Sequence, residues 1–386
     1  MRKISANYIF PIHTQPIKNG VLTIDEVGKI VELSAFGDTG KDVEFYDGII
    51  CPGFVNAHCH IELSHMKGVI PQHSGMTAFC KSVISYRHSD ISEQMSAMYA
   101  ADKLMENEGI VAVGDISNND LSAQMKSDSR LIYHTFVETL NLNPCFAEEN
   151  IAKARNIKQT FANKGLRVSI TPHAPYSLSE RLFELSVAEG NNSGIISIHN
   201  EESFDEMDVF AKKQGKMRDF FGTDMDAFLS EYDNPLRRIL KYIDSDTSLL
   251  LIHNTHTNER DFQQVLTRNR KPTWVLCPSS NLYIENHLPP IEMLRRKNAK
   301  IATGTDSLAS NTNLSIIKEL ITVSDNFENI ELNELLTWAT VNGAEALGIE
   351  KQFGTFEKGK TPGIVLIDNI NTKKMMLTSK STSRIL

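Results

Sequence analysis

The stretch IICPGFVNAHCH (49–60) runs from apolar, β-branched residues into two histidines, His58 and His60. On an extended strand, side chains at positions i and i+2 point to the same side, so both imidazoles can reach one ion. Pro52 and Gly53 fit a strand that enters the fold from a linker. An HxH pair alone also occurs by coincidence, so its meaning depends on what the other strands offer.

An apolar run that ends in polar residues recurs seven more times downstream. These runs are IVAVGDISN (110–118), LIYHTFVET (131–139), RVSITPHAP (167–175), IISIHNE (195–201), LLLIHNT (249–255), WVLCPSSN (274–281) and KIATGTDS (300–307). Amphipathic segments such as 92–109 and 179–190 lie between them. Continuous Val/Ile/Leu runs are typical of parallel strands buried on both faces. The alternation predicts an α/β protein, a (β/α)8 TIM barrel over residues 51–352, with a doubly wound open sheet as the alternative.

The two ends of the chain have a different pattern. Residues 1–50 carry strand-like fragments such as VLTIDEVGKIVEL (21–33), and residues 353–386 again resemble short strands and turns. Helical periodicity is weak in both. We therefore expect a small β-sandwich domain, built from both termini, beside the barrel.

Composition narrows the class of protein further. The chain has 386 residues, 41% of them hydrophobic, and a net charge of −8 without a Lys/Arg-rich run, which argues against nucleic acid as a partner. No apolar window is long enough for a membrane span, and the first residues lack a signal-peptide core. The five cysteines are odd in number and without CxxC pairs, so a reducing cytoplasm is expected.

Chemically useful side chains collect at the carboxyl ends of the eight runs. In chain order these ends offer His58 and His60, Asp115 and Asn118, Glu138, His173, His199, His253, Ser279 and Asn281, and Asp306. In TIM barrels, catalytic residues come from these strand ends and converge from distant positions. Five of the 12 histidines fall there, which is more than satisfied core histidines would be expected to contribute.

This set of side chains favours metal chemistry. Three histidines and one aspartate form a nitrogen and oxygen site suited to zinc or, less often, ferrous iron. Zinc lowers the pKa of bound water from 15.7 to about 7, which corresponds to roughly 12 kcal/mol in favour of hydroxide. Nucleophilic alternatives are weak, because the sequence contains neither a GxSxG elbow nor a Gly-rich phosphate loop.

Several motifs together resemble a known family. PGFVNAHCH (52–60), TPHAPYSLS (171–179), SIHNEES (197–203), LIHNT (251–255), CPSSN (277–281) and GTDSLASN (304–311) resemble successive strand-end motifs of the amidohydrolase superfamily. Within it they are similar to the aminohydrolase branch of S-adenosylhomocysteine deaminases, aminofutalosine deaminases and triazine chlorohydrolases. HIELS (60–64) and the HNEES stretch are most like the aminofutalosine deaminases. The resemblance covers nearly the whole chain.

The resemblance implies a mononuclear metal-dependent hydrolase. It assigns one divalent metal, Zn²⁺ or Fe²⁺, to four ligands, which are His58, His60, His199 and Asp306. Glu202 would shuttle a proton from the metal-bound water to the substrate, His253 would orient the attacking hydroxide, and Asp306 would also accept a proton. The fourth run, RVSITP, offers no lysine to carbamylate, so the two-metal branch does not fit.

Substrate contacts are harder to predict. His173 would face the substrate, and Glu62 and Asn311 are further candidates for binding it, with a structural hydrogen bond as the alternative for Glu62. The long segment 203–242 reads either as an ordinary outer helix or as a lid, in which Arg218, Phe220 and Phe221 would cover a flat aromatic substrate. Phe79, Tyr86 and Arg87 are similar candidates in the first connection.

Three functions follow, and products or metal content separate them. The first is deamination of an aminated, nucleoside- or purine-like heterocycle by attack of metal-bound hydroxide, with release of ammonia. The second is a hydrolase of the same fold that acts on another C–N bond or on a C–halogen bond. The third is a metal-free barrel that serves as a binding scaffold, against which the intact ligand set argues. A homodimer would be ordinary for such a barrel.

Overall fold

The computed structural model describes residues 1–35 and 42–386, which contain two four-stranded parallel sheets and one seven-stranded mixed sheet. The strands are β1 Arg2–Ile9, β2 Ile17–Lys18, β3 Val21–Ile24, β4 Ile30–Ser34, β5 Val43–Pro52, β6 Phe54–Cys59, β7 Ile110–Ser117, β8 Ile132–Thr139, β9 Arg167–Pro172, β10 Ile195–Asn200, β11 Ser248–His253, β12 Pro272–Leu276, β13 Ile301–Thr303, β14 Ile364–Asp368 and β15 Thr382–Ile385.

Helices connect most of these strands. They are α1 Met76–Tyr86, α2 Ile91–Asn107, α3 Ala123–Asp128, α4 Ala147–Asn163, α5 Glu180–Ser193, α6 Phe204–Lys212, α7 Lys216–Phe221, α8 Asp226–Leu229, α9 Pro235–Tyr242, α10 Glu259–Arg268, α11 Pro278–Glu285, α12 Ile291–Arg296, α13 Ile316–Asn326, α14 Leu332–Ala339 and α15 Val341–Ala346. Three short 3-10 helices, Ile61–Met66, Pro144–Phe146 and Thr223–Met225, complete the set in the described residues. None of the helices in this part of the chain is long and apolar enough to cross a bilayer.

The two parallel sheets contain the eight predicted strands. One has the order β6-β7-β8-β9 and the other β10-β11-β12-β13, so each strand pairs with the next in the chain. The sheets also meet through hydrogen bonds at both ends of this series. His199 N donates to His173 O at 3.0 Å, and Thr305 N donates to His58 O at 3.0 Å. The mixed α/β fold with parallel sheets is therefore confirmed.

The first predicted run, 49–60, is two strands rather than one. β5 ends at Pro52 in the mixed sheet, and β6 starts at Phe54 in a parallel sheet. Gly53 lies between them, where a Cβ atom would approach Val111 Cγ1 to 2.3 Å and Pro362 O to 2.6 Å. Only glycine lets the chain pass so close to its neighbours as it changes sheets.

Both ends of the chain contribute to the mixed sheet. Its order is β15-β14-β5-β1-β3-β4, with β2 paired to β1. One side buries an apolar cluster that includes Ile4, Leu22, Ile50, Ile364 and Leu366. β5 extends two residues beyond position 50, the predicted end of the N-terminal segment.

The segment 203–242 is neither one outer helix nor a simple loop. It folds as four short helices, α6 to α9, with a 3-10 turn between α7 and α8. Apolar residues of this segment, among them Phe210, Met217 and Phe228, form a buried cluster with Met76 of α1 and Tyr176. The segment is thereby packed against the first connection of the chain.

Candidate metal and substrate site

Five predicted residues converge at the carboxyl ends of the parallel strands. His58 lies in β6 with His60 just after it, His199 and His253 lie in β10 and β11, and Asp306 follows β13. Potential ligand atoms of His58, His60 and His199 lie within 4.8 Å of one another, as do those of His58, His253 and Asp306. Side chains separated by up to 248 positions thus surround one point, and His58 belongs to both groups.

Close packing brings Asp306 to this point. A Cβ atom on Gly304 would lie 2.8 Å from His58 Cβ and 3.0 Å from Cys277 Sγ, so the chain can pass here only as glycine. Asn56 fixes the next residue, because its side chain accepts from Thr305 N at 3.1 Å. Asp306 then adopts a left-handed backbone with φ 58°, and His253 does the same with φ 71°. Such conformations in non-glycine residues are concentrated at functional sites.

The buried imidazoles have the properties of metal ligands. Neither ring nitrogen of His58 has a hydrogen-bond partner among the described residues, and the same holds for His253 Nε2. Burial lowers the pKa of His60 to about 3 and that of His58 well below its usual value. The rings are therefore neutral near pH 7, the form that binds metal. Buried polar atoms without partners are costly, and a cation would satisfy them.

Further hydrogen bonds orient the candidate ligands. His199 Nδ1 lies 2.9 Å from His173 O, which fixes the hydrogen on Nδ1 and leaves Nε2 with a lone pair. Ser280 Oγ and Ser310 Oγ each donate to Asp306 Oδ2 at 2.6 Å, so Oδ1 remains for a cation. Burial alone would raise the pKa of Asp306, but the adjacent His60 and His253 and the two serines hold it below its usual value. The carboxylate is thus ionised, as a ligand must be.

Glu202 lies beside the cluster without being part of it. Its Oε1 is 3.2 Å from His253 Nε2. Its backbone N–H donates to Glu206 Oε2 at 2.7 Å, and Ser203 caps α6 by accepting from Glu206 N. Burial raises the pKa of Glu202 well above its usual value. A carboxyl group whose protonated form is favoured by burial therefore faces the candidate metal cluster.

A cavity of about 230 Å³ opens from this cluster. Its polar end is formed by His60, His199, Glu202 and Asp306, with His173 next to them. Ser177 holds the His173 ring through a 2.8 Å contact to Nδ1, which leaves Nε2 for another partner. Apolar residues form most of the remaining wall; these are Leu63, Met76, Phe79, Val83, Ile84, Leu140, Leu142, Tyr176 and Phe221.

Two predicted substrate contacts lie elsewhere. The Asn311 amide does not line this cavity, because it donates to Thr305 O at 3.0 Å and to Glu319 Oε1 at 2.8 Å. Its contacts are thus those of a structural support for the loop of Asp306. Glu62 does not line this cavity either, and its carboxylate accepts a hydrogen bond from Asn118 N at 3.0 Å. Glu62 therefore makes a structural hydrogen bond, and its role in substrate binding stays a prediction.

Some of the aromatic and arginine residues predicted to cover the substrate line the cavity, and others do not. Phe79, Arg87 and Phe221 line the cavity, whereas Tyr86 is 56% exposed and does not. Arg218 points away and pairs with Asp226 at 2.7 Å. Phe220 stacks on Phe221 with ring centroids 4.7 Å apart. Of the aromatic candidates in the segment 203–242, Phe221 lines the cavity and Phe220 does not.

Sequence reasoning gave no role to two polar residues in the cavity wall. Glu138 and Asn118 both line it, and the Asn118 amide donates to Glu138 Oε2 at 3.0 Å. Their position at the ends of two predicted strands was the available signal. Two other histidines lie apart, since His134 contacts Ser169 at 3.0 Å and His287 stacks on His256.

Proteins of known function resemble this chain in sequence and in fold over most of its length. An adenosine deaminase of Helicobacter pylori is 26% identical over 350 residues, which cover 87% of this chain and 83% of that protein. The structure of Helicobacter pylori aminofutalosine deaminase in complex with methylthio-coformycin superposes with a TM-score of 0.84 at 21% identity, over 100% of this chain and 98% of the other. An adenosine deaminase from Xanthomonas campestris with bound zinc superposes with a TM-score of 0.72 at 20% identity, over 97% and 85%.

The family assignment rests on almost the entire chain. The sequence profile of the amidohydrolase family matches residues 49–384, a range that starts in β5 and includes every residue of the candidate metal site. All the motifs on which the resemblance was based lie within this range. The chain belongs to the amidohydrolase family.

Proposed function

We propose that this protein is a mononuclear metal-dependent deaminase of an aminated heterocycle, and that the substrate is an adenosine-like nucleoside. One observation carries the proposal: buried imidazoles, among which both nitrogens of His58 and Nε2 of His253 lack hydrogen-bond partners, converge with Asp306 beside Glu202 at the polar end of a mostly apolar cavity. Related proteins are named adenosine deaminase and aminofutalosine deaminase, in agreement with this chemistry.

His58, His60, His199 and Asp306 would hold the metal. Zinc is the first choice, since imidazole and carboxylate suit it and a related deaminase binds zinc, while ferrous iron accepts the same donors. A divalent metal held there supplies Lewis acidity, which makes a hydroxide nucleophile accessible near neutral pH.

Glu202 and His253 would move and orient protons. In hydrolytic deamination water adds to the amine-bearing carbon and ammonia leaves, so a ring nitrogen must first be protonated and the amine must later accept a proton. Glu202 is buried in the cavity wall and has a raised pKa, so it can give its proton to the ring nitrogen. His253, 3.2 Å from Glu202, would orient the nucleophile. Asp306 would take the proton of the nucleophile and pass it to the departing amine, and the hydroxyl of the adduct would return a proton to Glu202 as the carbonyl forms.

The cavity shape supports a flat heterocycle. Phe79, Leu142, Tyr176 and Phe221 offer apolar surface on which an aromatic ring is removed from water. His173 Nε2 is free to hydrogen bond to the substrate at the polar end. An aminated ring can thus rest on the apolar wall while its amine-bearing carbon faces the metal ligands.

The architecture around this site is part of the proposal. We infer that the eight parallel strands close into one (β/α)8 barrel, which the hydrogen bonds at both seams support. Residues 1–50 and 353–386 would form the β-sandwich domain and 51–352 the barrel, with Cys51 and Pro52 joining the former as part of β5. All five cysteines are free, which supports a cytoplasmic location.

Ammonia release by the zinc-loaded protein tests the proposed function. The panel would contain adenosine, S-adenosylhomocysteine, aminodeoxyfutalosine, guanine, cytosine and a melamine-type triazine, with His58→Ala as the control. We expect ammonia from the wild-type protein with at least one nucleoside and none from the control. Silence on every compound by protein with stoichiometric metal would contradict a deaminase and favour another C–N or C–halogen hydrolase. Failure to bind metal would favour a scaffold.

A further inference from the structure

A second cavity adjoins the one next to the metal ligands. Its volume is about 520 Å³, and its wall includes exposed Lys153 and His88. The two cavities share five lining residues, which are Leu63, Arg87, Asn118, Glu138 and Leu140. A ligand whose ring lies against the metal ligands therefore has room to continue past these residues into the second space.

Three of the shared residues form a polar boundary. Arg87 Nη2 donates to Asn118 Oδ1 at 2.8 Å, and Asn118 Nδ2 donates to Glu138 Oε2 at 3.0 Å. Glu62, which lines the second cavity, anchors the group, because both of its oxygens accept from Asn118 N. Each member is held by the next, so the position of Glu138 is fixed in the absence of a ligand.

One oxygen of this boundary is left open. Glu138 is only 8% exposed, yet its Oε1 has no hydrogen-bond partner among the described residues. The nearest imidazole nitrogen is His199 Nδ1 at 3.9 Å, and its hydrogen is directed to His173 O. A buried acceptor without a donor is costly, and more so when charged, so an outside donor is expected to complete it.

A second metal is the competing explanation for this oxygen. Ligand atoms of Glu138, His173 and His199 lie within 4.8 Å of one another. However, His199 Nδ1 is used by a carbonyl and His173 Nδ1 by Ser177, while His199 Nε2 belongs with the first cluster. Too few free lone pairs remain for a second ion, and a hydrogen-bond donor on the substrate fits better.

We propose that Glu138 is a specificity-determining residue that accepts a hydrogen bond from a sugar hydroxyl of the nucleoside. The inference rests on the proposed function, which places the aminated base at the metal ligands. The sugar then lies at the boundary between the cavities, and Oε1 is the open acceptor there. The second cavity accommodates whatever the sugar carries beyond its hydroxyls.

Paired substrates with and without the 2′- and 3′-hydroxyls of the sugar test this assignment. Deamination of adenosine and of 2′,3′-dideoxyadenosine would be compared by kcat/KM in the wild-type protein, Glu138→Ala and Glu138→Gln. A hydrogen bond to a charged group contributes about 1.5–3 kcal/mol, so the wild-type protein should prefer adenosine by about 10- to 150-fold. Glu138→Ala should reduce this preference to within about threefold, mainly through adenosine, and Glu138→Gln should retain an intermediate preference.

Glu62→Gln is the matched control. Glu62 is a neighbouring buried carboxylate, and both of its oxygens already accept from Asn118 N. The substitution therefore perturbs the polar boundary but leaves the unpaired Oε1 of Glu138 in place. The hydroxyl preference should persist in this variant. Bound metal in Glu138→Gln, measured by elemental analysis, should equal that of the wild-type protein.

Several outcomes would overturn the assignment of Glu138. Equal slowing of both nucleosides would give it a structural role, and loss of metal in Glu138→Gln would make it a ligand. Deamination of free bases alone would keep the deaminase chemistry of the proposed function but reject both its nucleoside substrate and the sugar contact. If the wild-type protein deaminated nothing, the proposed function would fail. Calorimetry would then compare the binding affinities of the same two nucleosides for the wild-type protein. Equal affinities would reject the hydrogen bond between Glu138 and a sugar hydroxyl.

Discussion

Two buried aspartates near the same edge of the parallel sheets differ in how they are satisfied. Asp115, in β7, has Lys126 Nζ at 2.6 Å and accepts from Ile61 N at 2.8 Å. Asp306 uses one oxygen for two serines, while its other oxygen faces His60 and His58 at 3.6 and 3.8 Å. Polar groups that hold the scaffold are thus saturated within the protein, whereas those of the site remain open toward a ligand.

The difference is tested most strongly by Asp306→Asn. The amide removes the negative charge of the proposed ligand, so we expect loss of bound metal and a fall in turnover of about 10⁴-fold or more. Ammonia release and elemental analysis measure the two effects. Appreciable residual activity with metal still bound would show that Asp306 is neither a ligand nor a proton acceptor.

Lys126→Met should affect the scaffold instead of the site. Lys126 and Asp115 form an ion pair in which both side chains are fully buried. Removal of the lysine leaves the Asp115 charge without a partner, which typically lowers the free energy of unfolding by about 3–5 kcal/mol. This loss corresponds to a change of about 10²- to 10⁴-fold in the folding equilibrium constant. Urea unfolding measures the change in free energy of unfolding. The matched control is Lys103→Met, because Lys103 is exposed and its pair with Glu106 should contribute less than about 1 kcal/mol. Equal losses in the two variants would contradict the comparison.

Glu202→Gln separates proton transfer from metal binding within the site. We expect the metal to stay bound and kcat to fall by about 10²- to 10³-fold, the range for a general acid and base. Steady-state kinetics and metal content are measured on the same preparation. Loss of the metal would instead show that Glu202 is a metal ligand and not the group that transfers protons.

The smallest effect is expected at the histidines outside the site. His287→Ala removes an exposed ring that stacks on His256, and His134→Gln replaces a ring that contacts Ser169 on β9. Both variants should keep deaminase activity within about twofold, and His287→Ala should change the free energy of unfolding by less than about 0.5 kcal/mol. A large loss of activity in either would mean that the histidines have been assigned wrongly.

The sequence alone located the strands well because buried parallel strands leave long apolar runs. The same property concealed the change of sheet at Gly53, since residues on both sides of it are apolar and buried. The convergence of His58, His199 and Asp306 was predictable from strand-end positions. That Asn311 is captured by Glu319 depends on how the loop after β13 folds back on α13, and that Glu138 keeps a free oxygen depends on side chains from neighbouring strands. No pattern of apolar residues encodes either contact.

The pairing of β5 with β14 has a consequence for the order of synthesis. Ile49, Ile50 and Cys51 lie opposite Ile367, Leu366 and Val365, so the ribosome makes more than three hundred residues before β5 acquires this neighbour. Until then, a strand with five consecutive buried residues has an open edge immediately before the histidines. A nascent or cleaved chain that stops short of Ile364 would present this edge to other chains, which is the usual starting point of strand-to-strand aggregation.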